Sequence, residues 1–298
     1  LKPEITTQPQ AQNVYSDTNV LFSVTAEGKY LTYQWKKDGG NLTGETNSTL
    51  SITDANVTLH DGNYSVVVSN DFGSEESGMV EVKVSDALLN GLVGWWKFDE
   101  TNGTVAYDSS GNGNDGNLTG GPTWSTGKIG GALSFDGSDD FVDLGNSSDI
   151  ALTLNKSLSM WLKPTAFGSR RNPYNRSYGG TGTLTIETDG SISYFYGTAG
   201  RDADPYGTYR PLGGLTLNSW MHYCLVRNLS SMKVYLYLDG NLDKEITAIH
   251  STAVASSDNA FIGKGYVSNY HGLIDDVRIY DRALSAEEVQ ALYNLEQL

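Results

Sequence analysis

Eight arginines occur in this chain of 298 residues, and none precedes position 170. Five fall in two loop-like stretches, Arg170, Arg171 and Arg176, then Arg201 and Arg210. The same stretches carry Tyr174, Tyr178, Tyr206 and Tyr209. Residues 167–182 hold three Arg and no acid, in a chain whose 20 Lys+Arg stand against 35 Asp+Glu, a net charge of −15. A guanidinium grips a sulfate or carboxylate with two parallel hydrogen bonds. Flat rings offer the apolar faces of sugars a stacking surface at low entropic cost. Together these nine side chains predict a binding site for an anionic polysaccharide. The competing account is that the arginines pair with Asp202, Asp204 and their neighbours, or brace the loops.

A second set of residues suits a hard cation. Calcium takes six to eight oxygens from carboxylates, amides and carbonyls. Residues 108–116 offer Asp108, Asn112, Asn114 and Asp115 among glycines, and Asp136 with Asp139, Asp140 and Asp143, or Asp275 or Asp276, could close a site from another strand. The expected ligands of a structural calcium are therefore Asp108, Asn112, Asn114, Asp136 and Asp276. No Glu closes a twelve-residue loop, so this is not an EF-hand. The alternative is a solvated Asx-rich turn. The four histidines are scattered, and no His-x-His, His-x-x-x-His or Gly-x-Ser-x-Gly occurs, so metal hydrolysis and a serine elbow have no support. His222 reads as a packed strand residue. One cysteine, Cys224, excludes a disulfide framework within the chain.

These residues must be positioned by strands. Helix formers are scarce, and runs of period-2 alternation recur every 8–12 residues between Gly, Asn, Asp and Ser clusters, which predicts an all-β protein of sandwich or jelly-roll type. The one helix signal is Ser285 to Tyr293, with Ser285 and Glu288 spaced as a capping box requires. The length predicts two domains, placed at 1–86 and 90–298. In the first, Trp35 lies in Tyr33-Gln-Trp-Lys-Lys, Tyr64 in Asp61-Gly-Asn-Tyr-Ser-Val-Val-Val, and Phe22 in Val20-Leu-Phe-Ser-Val. This unit resembles a bacterial immunoglobulin-like domain. The resemblance makes Trp35 the buried strand-C tryptophan and Tyr64 the tyrosine corner, while Phe22 and Val66 fill the two cysteine positions of antibody domains.

The second unit carries Gly91-Leu-Val-Gly-Trp-Trp-Lys-Phe-Asp-Glu100, Ala132-Leu-Ser-Phe-Asp-Gly, Ser157-Leu-Ser-Met-Trp-Leu-Lys-Pro164 and Gly272-Leu-Ile-Asp-Asp-Val-Arg-Ile-Tyr-Asp-Arg-Ala-Leu-Ser285. It is similar to the laminin-G-like jelly roll of the concanavalin A-like lectin/glucanase group. The resemblance implies two curved antiparallel sheets, often a calcium near the Asp108 loop, and a carbohydrate-binding or adhesive role. Enzymes of this broad fold that cut polysaccharides carry Glu-x-Asp-x-Glu on one strand, pairing a nucleophile with an acid. Here the nearest run is Ile186-Glu-Thr-Asp-Gly190, which reads as a hairpin.

The expected function is thus a non-catalytic carbohydrate-binding module of a secreted or cell-surface bacterial protein, recognising a sulfated or uronate polysaccharide. The alternatives are an adhesive module that binds protein, and a glycoside hydrolase or lyase with a site not evident in sequence. Net −15 argues against general nucleic-acid binding, and no run of about 20 apolar residues is present to span a membrane. The start, Leu1-Lys2-Pro3-Glu4, shows no apolar signal segment, so a processed or excised piece of a longer protein is expected. It should be monomeric by itself and joined to further domains in its parent.

Overall fold

The computed structural model describes residues 1–177, 180–197, 207–209 and 214–295, with only the backbone for 207–209. The chain is almost wholly β and divides into two compact units, Leu1–Asn90 and Gly91–Glu296.

In the first unit, strand Gly62–Asn70 lies between Thr32–Lys37 and Val80–Ser85, and Val20–Ser23 pairs with Thr49–Ile52. Alternation puts Phe22, Trp35, Tyr64 and Val66 inside. Phe22 packs on Trp35 and Tyr64 at ring-centre distances of 5.7 and 5.3 Å. This aromatic cluster and Val66 occupy the place where a disulfide would bridge the sheets, and burial of such rings contributes about 1.5–3 kcal/mol each. The Tyr64 hydroxyl donates to the His60 carbonyl at 2.9 Å, the bond that makes a tyrosine corner. Burial pushes its phenol up to about 12.

In the second unit, two sheets, antiparallel except where Ser268–Asn269 runs parallel to Arg171–Arg176, enclose one core. The first runs Thr123–Thr126, Gly131–Asp136, His271–Tyr280, Lys156–Pro164, Met221–Asn228, Lys233–Leu238 and Asn241–Thr247, with Leu92–Trp96 also on His271–Tyr280. The second runs Val105–Ala106, Gly116–Thr119, Phe141–Asp143, Phe261–Ile262, Arg171–Arg176, Gly182–Ile186, Ile192–Phe195 and Gly207–Tyr209, with the short Ser268–Asn269 on Arg171–Arg176. Leu158, Met160 and Leu162 from one sheet meet Val142, Ile262, Leu184 and Ile192 from the other.

A helix covers part of the outer face of the first sheet. Helix Ala286–Asn294 begins with the expected capping box, Ser285 and Glu288 each bonding the other's backbone. It buries Val289 and Leu292 and stacks Tyr293 on Trp161 at 5.7 Å. Beneath it His222 accepts from or donates to Ser159 Oγ at 2.8 Å. Burial drives its imidazole down to about 4, so it is a neutral packed residue. The outward face of the second sheet has no helix over it among the described residues.

Candidate functional site

Strand register defines what that outward face carries. Asn117 stands opposite Asp143, Asp143 opposite Phe261, Phe261 opposite Asn175, Asn175 opposite Thr183, and Thr183 opposite Phe195. The neighbouring row, Leu118, Val142, Ile262, Tyr174, Leu184 and Tyr194, belongs to the core. Side chains alternate along a strand, so the first row points away from the core. Thr185 and Ser193, also paired, and Phe141 share its side.

Two clusters of rings and cations sit on this face. In one, Arg170 forms a two-point ion pair with Glu187 at 2.8 and 3.1 Å and donates to the Tyr266 hydroxyl at 2.9 Å. Tyr266 in turn is 3.0 Å from Thr185 Oγ1, and Ser193 Oγ donates to Glu187 at 2.7 Å. Phe195 meets Tyr266 edge-on at 5.9 Å, and the Arg170 guanidinium lies within 5.8 Å of both ring centres. Partial burial opposes the Arg170 charge, but the bonds to Glu187 and Tyr266 outweigh it and hold the group ionised. Arg170 Nη1 has no partner among the described residues, and the side chain is 39 % exposed. In the other cluster, Lys264 Nζ stands 3.8 Å over Phe141 and 5.0 Å from Phe261, which meet edge-on at 5.5 Å. Between them Thr183 donates to Asn175 Oδ1 at 2.6 Å, and Asn259 donates to both Asp143 oxygens.

The arginine expectations divide. Arg170 is on the face. Arg171 donates to the Asn269 carbonyl at 2.8 Å and lies at the rim, where a Cβ on Gly137 would come within 2.7 Å of its Nη1. Arg176 and Tyr174 are not on that outward face. Both point into the sandwich, each 1 % exposed. Arg176 donates to the carbonyls of Ser147, Asn146 and Ser256, and the Tyr174 hydroxyl accepts from Lys156. The cause is an extra residue in strand Arg171–Arg176, whose register shifts between Arg171 and Tyr174. Tyr178, Arg201, Tyr206 and Arg210 lie outside the described residues. Tyr209 pairs with Ile192 through its backbone, and its side chain also lies outside. Sequence reasoning missed Phe141, Asn175, Thr183, Thr185, Phe261 and Lys264 on this face. Their signal was the alternation of each short strand against its apolar neighbours.

The cation expectations divide too. The Asp108 carboxylate accepts from the backbone N–H groups of Trp95, Ser110 and Asn114. The amides of Asn112 and Asn114 donate to the Leu92 and Val93 carbonyls. That loop is an internally satisfied Asx turn, so Asp108, Asn112 and Asn114 are corrected to structural residues. Asp276 is also corrected. It is buried, ion-paired with Arg278 at 3.1 Å, and accepts from Trp95 Nε1 at 2.6 Å. Asp136 also accepts from a backbone N–H, that of Ser138 at 2.7 Å, which holds its carboxyl below the usual value, but it has acidic neighbours that the Asp108 loop does not bring together. It joins Asp139 and Asp140, whose carboxylate oxygens all lie within 4.8 Å of one another. Burial raises the Asp140 carboxyl, and the charges of Asp136 and Asp139 add to that. Three converging hard oxygens that repel one another fit a calcium ion. Asp136, Asp139 and Asp140 would hold it, and its charge would offset their repulsion.

A family model for the concanavalin A-like lectin/glucanases superfamily, of laminin-G type, matches residues 136–290. The chain belongs to this superfamily. An immunoglobulin-domain model matches residues 2–70, so an immunoglobulin-like domain precedes the laminin-G-like one. Among solved structures the chain is similar to domain 4 of AbnA, a GH43 extracellular arabinanase from Geobacillus stearothermophilus, in complex with arabinotriose. The match has 20 % identity and a TM-score of 0.53, covering 68 % of this chain and 98 % of that one. It is similar to the binding domain of Paraclostridial Mosquitocidal Protein 1, with 16 % identity and a TM-score of 0.58, covering 70 % and 52 %. It is also similar to the botulinum neurotoxin serotype D ligand-binding domain in complex with N-acetylneuraminic acid, with 16 % identity and a TM-score of 0.57, covering 69 % and 51 %. The chain thus spans about half the length of the two toxin domains. At these identities the likeness establishes the jelly-roll fold.

Proposed function

We propose that the laminin-G-like unit is a carbohydrate-binding module for an acidic glycan, working in a secreted or surface-exposed bacterial protein, with the immunoglobulin-like unit as a spacer. The observation that carries this reading is the outward face of the second sheet, where the rings of Phe141, Phe261 and Tyr266, the Arg170 guanidinium, the Lys264 ammonium and the Asn175 amide remain at least partly exposed, while Thr183, Thr185 and Ser193 are buried beneath them. Tyr266, Phe141 and Phe261 supply ring faces for sugars. Arg170 and Lys264 supply charge for a carboxylate or sulfate, and Asn175 supplies a neutral polar group for sugar hydroxyls. Two of the similar structures carry a glycan, which supports the reading: arabinotriose in the arabinanase domain, and N-acetylneuraminic acid, an acidic sugar, in a toxin domain of which the match covers 51 %. The acids on the face favour binding over catalysis, because Glu187 is tied to Arg170 and Ser193, and Asp143 to Asn259.

Affinity electrophoresis against neutral, uronate and sulfated polysaccharides tests the proposal. Retardation should be confined to acidic glycans and weaken with salt. Arg170→Ala should weaken it by about tenfold or more, in line with loss of a charge-assisted bond. Its melting temperature should move little, because a half-exposed ion pair contributes only about 0–1 kcal/mol. Equal binding of neutral glucans would remove the ionic element, and no retardation by any glycan would remove the carbohydrate reading.

We further propose calcium at Asp136, Asp139 and Asp140. Calcium at about 100 times its dissociation constant should stabilise the unit by about 2.7 kcal/mol, roughly 5–10 °C in Tm for a unit of this size. A chelator should reverse the shift, and Asp139→Asn should abolish it. A Tm indifferent to both calcium and chelator rules the ion out.

A further inference from the structure

At one end of the same sandwich, three cationic side chains are buried together. Lys156 and Arg227 stand opposite each other on adjacent strands of the first sheet, and Arg176 enters from the second. Lys156 and Arg176 are each 1 % exposed and Arg227 is fully buried. No carboxylate hydrogen-bonds any of them among the described residues. The one acid that acts on Arg176, Asp258, is exposed. Guanidinium groups do not give up their protons in proteins, so at least two positive charges lie between the sheets of an otherwise acidic protein.

The hydrogen bonds leave a surplus of donors. Arg227 spends its donors on the carbonyls of Leu154, Thr181 and Leu152 and on the Tyr194 hydroxyl. Arg176 spends its terminal nitrogens on three carbonyls, but its buried Nε has no partner. Lys156 Nζ makes one bond, donated to the Tyr174 hydroxyl at 3.1 Å. Tyr174 and Tyr194 each accept from a cation, so each keeps its own O–H to donate. A buried group of donors with net positive charge and no anionic acceptor is costly, because each unmade bond carries its desolvation penalty.

We propose that a small monovalent anion of chloride size occupies this end of the sandwich, held by Lys156 Nζ, Arg176 Nε and the hydroxyls of Tyr174 and Tyr194. The site is distinct from the outward sheet face and does not depend on glycan binding. Such an anion would let Lys156 stay protonated against the burial and the two neighbouring guanidiniums that otherwise drive it toward the neutral amine. It would also fasten the loops whose carbonyls Arg176 and Arg227 hold.

Two measurements on the intact chain decide it. Crystals soaked in bromide should give an anomalous peak within hydrogen-bonding reach of both Lys156 and Arg176. In solution, at fixed ionic strength with gluconate as the replacement anion, each fivefold rise in chloride above half-saturation should raise Tm by about 2–4 °C. Lys156→Met should lose that dependence. If the variant does not fold, the two wild-type measurements stand alone. A bromide map without the peak, or a wild-type Tm that ignores chloride, overturns the proposal and leaves Lys156 as a neutral amine or the donors bound to water.

Discussion

Replacing Asp276 by alanine is expected to destabilise the laminin-G-like unit by about 3–5 kcal/mol, the usual cost of stranding one partner of a buried ion pair. Asp276 and Arg278 are both 6 % exposed at the side chain, and the carboxylate takes three bonds from the guanidinium and one from the Trp95 indole. Arg278 also covers the Trp95 ring at 4.1 Å, with Lys97 at the same distance. Alanine would leave the guanidinium charged, desolvated and unpaired. A backbone effect adds to this. Asp276 has φ 46°, within a register shift of strand His271–Tyr280 against Lys156–Pro164. Aspartate tolerates that left-handed conformation better than alanine does. The expected fall in Tm is on the order of 10 °C, read by calorimetry as loss of the transition belonging to this unit. Asp276→Asn keeps the conformation and an acceptor for Trp95 but not the charge, so it should fall between wild type and alanine. An alanine variant within about 1 kcal/mol of wild type would show that the pair contributes nothing net.

That bulge also marks where sequence stops being legible. Packing that depends on alternation alone was readable: Phe22, Trp35 and Tyr64 meet as the immunoglobulin pattern requires, and Ser285 with Glu288 caps the helix. A single inserted residue defeats the same reasoning. With strict alternation, Arg170, Tyr174 and Arg176 would share one face. The extra residue between Arg171 and Tyr174 leaves Arg170 with Tyr266 and Glu187 on the outer side and sends Tyr174 and Arg176 into the core. The one local signal in Arg-Arg-Asn-Pro-Tyr is Pro173, which has no N–H to give and is tolerated inside a central strand only at a bulge, but the register on either side of it is fixed by pairing with other strands.

The cation residues failed for a different reason. Sequence displays which residues own oxygen atoms but not which lone pairs are already used. Asp108 looks like a ligand until its three backbone donors are seen. Asp136, Asp139 and Asp140 come together because a short turn follows strand Gly131–Asp136. Gly120 helps to make room there. Its φ is +87°, and a Cβ would come within 2.2 Å of the Asp139 carbonyl.

Asp275→Asn is expected to do the opposite of Asp276→Ala and stabilise the protein, increasingly so as pH rises. Asp275 is fully buried. One oxygen accepts from the Lys128 and Ile129 backbone N–H groups at 2.7 and 2.8 Å, and the other has no partner. Burial first, then the neighbouring Asp276 charge, raise its carboxyl from 3.8 to about 8. A carboxyl whose folded value lies above its unfolded value binds its proton more tightly when folded. Its stabilising contribution is therefore complete below about pH 4 and is lost as pH climbs through about 8, with a slope of about 1.4 kcal/mol per pH unit between those limits. Asparagine matches the protonated acid in shape, keeps the accepting oxygen for Lys128 and Ile129, and cannot ionise. The stability difference between variant and wild type should grow with pH at up to that slope from about pH 5 to 8, then level off. Taking the difference is essential. His222, lowered to about 4, works with the opposite sign, adding stability as pH rises from about 4 to 6.5. That term is common to the two proteins and cancels. Urea unfolding at a series of pH values measures the difference directly. A variant that runs parallel to wild type across this range would mean that Asp275 ionises near its ordinary value, and that the two backbone N–H groups offset its burial.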